Sequence, residues 1–129
     1  MSTAIMCDTA ARFETYRTGV VPPTWVNHTG GDTLLAVTVT GPAVYVGGHQ
    51  RWLDNPYGHK NAGPGAVDRP GIGALDPVTG KALPWNPTRK PRGEGVRALV
   101  ATPGGLLVGS DTSYLGHEYH ARIGMFPLR

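Results

Sequence analysis

The chain has 129 residues, a formal net charge of +3 and only 16% charged residues. That length is one domain with room for a modest core. The thin charge excludes a nucleic-acid surface, which needs denser Lys and Arg with aromatics between them, and no run is apolar enough to cross a bilayer.

Gly 19 and Pro 12 stand beside 40% hydrophobic residues and several β-branched runs, a balance that predicts many short strands joined by turns. Cys7 is the single cysteine, so no intrachain disulfide can form. It has no CxxC partner and is expected to be a buried, inert thiol. Met1 to Met6 lacks the basic region and long apolar stretch of a signal peptide, so the chain as written is expected in the cytoplasm.

Along the chain, Thr9 to Tyr16 reads either as a short helix without an apolar stripe or as a strand containing Ala10, Ala11 and Phe13. Pro22 and Pro23 restrict the next segment, through Trp25 and Asn27, to an edge strand or a strand start. Thr29-Gly30-Gly31-Asp32 is a turn, and Asn27-His28-Thr29, although a sequon, belongs to that turn. Leu35, Val37 and Val39 alternate with Ala36, Thr38 and Thr40 and predict one buried strand face. Gly41-Pro42 turns the chain into Ala43 to Gly47, where Val44 and Val46 share a face opposite Tyr45. A long loop, His49 to Arg69, follows. Structureless loops beyond about 12–15 residues are uncommon and usually functional or disordered. Ile72 to Leu75 is a strand, Asp76 to Lys81 a turn rather than a calcium loop, and Ala82 to Trp85 a short strand. Arg89-Lys90-Pro91-Arg92 reads as a solvated basic loop. Val96 to Ala101, the turn Pro103-Gly104-Gly105 and Leu106 to Gly109 form the next hairpin; Ser110 to Tyr119 is a shorter loop, and Arg122 to Phe126 a last strand.

Two segments recur. Val44 to His49 returns as Leu106 to Asp111, offset by 62 residues, and Pro70 to Leu75 returns as Ala121 to Phe126, offset by 51. The 11-residue difference lies in the loop between the two strands. Equal strands with unequal loops mark a repeat architecture that carries function on one face. Each unit reads strand, tight turn, strand, variable loop, strand, turn, short strand, which is the four-stranded antiparallel pattern of a β-propeller blade. On that reading the chain is a single all-β domain, 1–129. Residues 1–31 form the outer half of one blade, 32–87 a full blade and 95–128 an incomplete one. Cys7 to Ala11 takes a third-strand place and Pro23 to Asn27 a fourth, with Trp25 and Trp85 at matching positions for packing between blades.

The residues Val44-Tyr45-Val46-Gly47-Gly48, Gly73-Ala74-Leu75-Asp76-Pro77, Thr79-Gly80 and Trp85-Asn86-Pro87 resemble the blade repeat of secreted actinobacterial β-propellers, the delta-60-type repeats. The resemblance covers about residues 32–128 and is to the C-terminal part of such proteins. It implies secretion, against the reading of the N-terminus, and brings no catalytic residue set with it. Propellers have about 4–8 blades, and roughly nine strands make little more than two. The exposed edges and apolar faces of an open unit predict a homo-oligomer, a trimeric ring first and a dimer second.

Both loops after the second strands should emerge on one face. The first offers His49, Arg51, Trp52, Asp54, Asn55 and Tyr57; the second offers Asp111, Glu118 and His120. Flat aromatic faces beside directional hydrogen-bonding groups suit a polar ligand, carbohydrate first. Trp52, which has no counterpart in the second unit, is the leading contact. The competing bland reading is that Trp52 and Tyr57 staple the loop while its polar groups satisfy backbone. A hydrolase or lyase using His49, Asp111, Glu118 or His120 is the alternative activity, and a purely structural or interaction module is the third. His117, Glu118 and His120 lack the spacing of a helical zinc site and would need His49 or Asp111 to join them, so neither metal nor cofactor is expected.

Overall fold

The computed structural model describes residues 8–90 and 93–127. Cys7 and the Pro91–Arg92 part of the basic cluster lie outside them. Every regular element among the described residues is a β-strand.

Strands β1 (Thr9–Arg12) and β2 (Trp25–His28) pair antiparallel, with Thr9 opposite His28 and Arg12 opposite Trp25. The ambiguous first segment is thus a strand as far as Arg12, and Phe13 lies beyond it. Next come β3 (Leu34–Val39) and β4 (Val44–Gly48), then a two-stranded ribbon of β5 (Trp52–Leu53) and β6 (Val67–Asp68), then β7 (Ile72–Leu75). The central sheet has the order β3-β4-β7. After β8 (Arg89–Lys90), strands β9 (Val96–Thr102) and β10 (Gly105–Ser110) form the second hairpin. The ribbon β11 (Tyr114–Leu115) and β12 (Glu118–Tyr119) precedes β13 (Ile123–Pro127). The third sheet runs β9-β10-β13, while β8 joins the ribbon in the order β8-β11-β12.

The repeat extends to its irregularities. Between β3 and β4 the register shifts at Leu35, and between β9 and β10 at Arg97, the position 62 residues later. Each hairpin turn is closed by a threonine hydroxyl: Thr40 Oγ1 donates to the Ala43 carbonyl at 3.1 Å and Thr102 Oγ1 to that of Gly105 at 2.8 Å. A β-bulge adds one unpaired residue and bends the strand. On β9 it brings both Val96 and Leu99 inward and leaves Val100 outward, where simple alternation expects Val96 and Val100 together.

Two apolar clusters hold the layers. Val44, Val46, Leu53 and Leu75 pack under Ala10 and Trp25 of the first strand pair. Ile72, Val96, Leu99, Leu106, Val108 and Leu115 join the second and third sheets, with Ala36, Tyr45, Trp85 and Phe126 at their margin. Each fully buried aliphatic side chain contributes about 1.5–3 kcal/mol. The two sheets meet closely because glycine lets them. A Cβ on Gly47 would stand 2.6 Å from the Val96 side chain, and one on Gly95 would stand 2.7 Å from the Gly48 backbone. Trp85 lies between the sheets, edge-on to both Tyr45 (5.3 Å) and Phe126 (5.2 Å). Trp25 lies between the first pair and the second sheet and donates Nε1–H to the Pro77 carbonyl at 2.9 Å.

Four expectations change. The long loop is not structureless, because β5 and β6 continue it as a ribbon. Lys90 and Arg89 pair with Tyr114 and Leu115, so the start of the basic cluster is a strand. Ala82 to Trp85 shrinks to one bridge, Leu75 with Ala82, followed by a hydrogen bond from Leu83 N to the Ala74 carbonyl. Pro84 has no N–H to extend the ladder, and Trp85 turns to its place between the sheets. Finally, Leu35, Val37 and Val39 are 42%, 61% and 66% exposed. At Leu35 the bulge brings Leu34 inward instead, and the first strand pair covers Val44, Val46 and Leu75 but does not reach across β3 to Val37 and Val39.

Candidate functional site

The long loop is tied to the turn before β3. Asp32, almost fully buried, receives Nε of Arg51 at 2.9 Å, Nη2 at 3.0 Å and the Arg51 amide at 3.1 Å. Such a bidentate pair fixes the plane of the guanidinium. The hydrogen bonds with Asp32 push the Arg51 pKa above its ordinary value, against the opposing effect of burial. The held guanidinium lies over the Trp52 ring, 4.4 Å from its centroid, a cation–π geometry that covers one indole face. Lys60 Nζ stands 3.9 Å from Asp32 and donates to the Gly31 carbonyl.

Asn55 is completely enclosed. Its Nδ2 donates to the carbonyls of Thr29 (3.0 Å) and Asn61 (2.9 Å), and its Oδ1 accepts from Gly63 N (2.9 Å). Asp54 sits at φ 50°, a left-handed conformation uncommon outside glycine. Its carboxylate accepts from the Asn27 side chain and from Ala82 N at 3.2 Å, while its own amide donates to Asn27 Oδ1 at 2.9 Å. Tyr57 is well exposed. His49 follows β4, donates its amide to the Thr33 carbonyl at 2.8 Å and borders a shallow depression with Thr33, Leu35, Glu94 and Arg97.

In the short loop, the Asp111 carboxylate accepts from the amides of Glu94 (2.6 Å) and Gly95 (3.2 Å). It closes the entry to β9 much as Asp32 closes the long loop. Tyr114 and Tyr119 face each other across the ribbon edge to face, at 5.7 Å. His120 Nε2 lies 3.1 Å from a Glu118 oxygen, and Glu118 is strongly exposed. Among the described residues no group of three or more His, Cys, Asp or Glu is gathered for a metal.

Two neighbourhoods therefore emerge. Arg51 and Trp52 form one contact pair, and Glu118 with His120 another beside Tyr114 and Tyr119. His49 and Asp111 approach the same junction, since Asp111 holds Gly95 and the Gly95 backbone abuts Gly48 next to His49. Asp54 and Asn55 turn inward and serve the loop itself. Sequence reasoning missed the fasteners Asn27, Thr29 and Asp32, which it read only as turn residues. Their signal was the density of side-chain acceptors within six residues beside the longest loop. Comparison of the chain with protein-family models, with characterised proteins and with solved structures gives no match.

Proposed function

We propose that this chain is a β-propeller-type module that associates with further copies of itself and turns its loop face to a polar ligand. The observation that carries the reading is how the second and third sheets stack and what they leave at either end. β3 and β4 lie against β9, sealed at Gly47–Val96 and Gly48–Gly95 with Trp85 between. Beyond this stack, Val26 is exposed on the outer side of β1–β2 at one end, and Val100, Ile123 and Met125 are exposed at the other. A blade in a ring has a neighbour on both faces, and large exposed apolar patches serve association. Head-to-tail copies supply those neighbours and close where the rotation permits, three copies ahead of two. Sedimentation at micromolar concentration should give a multiple of the chain mass. A folded monomer under those conditions overturns the self-association.

For the ligand, carbohydrate is the first class. Exposed Tyr57 and Tyr119, the partly exposed Trp52 and the Glu118–His120 pair combine aromatic faces with hydrogen-bonding groups. On a glycan array, a binder should lose affinity chiefly on Trp52→Ala and less on His49→Ala. A hydrolase or lyase would instead lose turnover on His49→Ala while keeping its binding. If both variants match the parent chain in a glycan array and a hydrolase panel, the loop-face reading is wrong and the interaction-module reading stands alone.

A further inference from the structure

Beside β1 lies an open cleft of about 520 Å³, lined by Ala11, Phe13, Trp25, Val37, Val39 and Val44. Its floor is the exposed apolar face of β3. Its wall is the edge of β1 away from β2, and β2 is the one strand paired with β1 among the described residues. A free strand edge over an apolar floor is the geometry of β-strand addition: main-chain hydrogen bonds attach the incoming strand, and its alternate side chains fill the floor.

The repeat specifies what fits. Leu34, Val37 and Val39 correspond, 62 residues on, to Val96, Leu99 and Ala101. Val96 is fully buried and Leu99 8% exposed, because they lie against Ala36, Tyr45 and Gly47 of the β3–β4 hairpin. Those covering residues correspond in turn to Ala98, Leu107 and Gly109 of β9–β10. A hairpin of this kind laid beside β1 would set Gly109 over Leu34 as Gly47 sits over Val96, with Leu107 toward Val37. The cleft lies within the β1–β2 layer, and packed sheets are about 10 Å apart. A second copy stacked on the outer side of β1–β2 does not descend into it, and a three-stranded sheet would meet β1 with its third strand. Two strands fit.

We propose that this cleft is a docking seat for a two-stranded β-hairpin carried by another polypeptide, with small and apolar residues alternating as in β9–β10. The inference rests on the propeller-type reading but not on self-association.

The test uses the full chain and a synthetic peptide of residues 95–111 as the hairpin probe. Tryptophan fluorescence should report saturable one-to-one binding, with the change lost in Trp25→Phe, and amide exchange should slow along β1, from Thr9 to Arg12. Val37→Asp should weaken the peptide about tenfold or more, the scale of one buried aliphatic contact. Val39→Lys should do the same if Val37→Asp misfolds, and Met125→Asp, on the far face, should change nothing. Absence of saturable binding, indifference to both cleft variants, or binding without protection of β1 overturns the seat. So does a self-associated species that Val37→Asp disperses and the peptide cannot displace, since the occupant is then a second copy. Slow exchange of Leu106 and Val108 without peptide marks the sheet packing itself. Its loss refutes the propeller-type reading, whereas its retention without peptide binding refutes the hairpin alone.

Discussion

The two loops that follow the second strands are fastened to different depths. Both use a carboxylate to hold backbone at the mouth of the loop, Asp32 for the long one and Asp111 for the short one. Asp32 is nearly buried, whereas Asp111 is exposed. The long loop then adds an interior, with Asn55 enclosed at its centre and Asp54 bridging to Asn27 and Ala82. The short loop adds a ribbon whose tyrosines and Glu118 remain at the surface. Extra length has gone largely into self-support. Ordering each added residue costs about 1–2 kcal/mol of backbone entropy, and the internal hydrogen bonds offset that cost.

The sharpest way to break this comparison is Asn55→Ala. Three internal hydrogen bonds disappear and the buried carbonyls of Thr29 and Asn61 lose a donor. The expected loss is about 3 kcal/mol in chemical denaturation. A loss near zero would mean the long loop is not built around this side chain. Asp32→Ala comes next, at about 2 kcal/mol, because Arg51 is partly exposed and regains water when its partner is removed. The variant should also release the guanidinium from Trp52, seen as a change in indole fluorescence. Asp111→Ala, the counterpart in the short loop, should cost about 1 kcal/mol, since the Asp111 carboxylate and the freed amide of Glu94 are at the surface and the loss falls on the buried amide of Gly95. Equal losses for the two aspartates would erase the distinction between the loops.

Much of the fold was legible because its signal is local. Alternation and Gly-Pro or Pro-Gly turns place β3, β4, β9 and β10, and the recurrence of Val44 to His49 pairs the two units. What escaped depends on the third dimension. Alternation marks an apolar face on β3 but cannot say that β1–β2 stops short of Val37 and Val39. The bulges at Leu35 and Arg97 exchange faces by one residue, which no period-two reading can foresee. The ribbons β5–β6 and β11–β12 are two residues per strand, too short for any periodicity. In the site, residue types were visible but their partners were not. Asn55 and Tyr57, two positions apart, have the same look in the sequence, and one is enclosed while the other faces water.

The smallest expected effect discriminates most about function. Tyr119 is exposed and its described ring contact is the edge-to-face pair with Tyr114, so Tyr119→Ala should change stability by less than about 0.5 kcal/mol. If the short loop is a binding surface, the same variant removes an aromatic face beside Glu118 and His120 and should weaken glycan capture while the melting curve stays put. Asn55→Ala would reach the ligand only by loosening the long loop, so its binding loss should track its stability loss. Separation of the two measurements for Tyr119, together with their coupling for Asn55, is what a rigid long loop beside a surface-presenting short loop requires. If Tyr119→Ala instead destabilises the chain as much as Asp111→Ala does, the tyrosine pair belongs to the scaffold and the short loop loses its claim to the ligand.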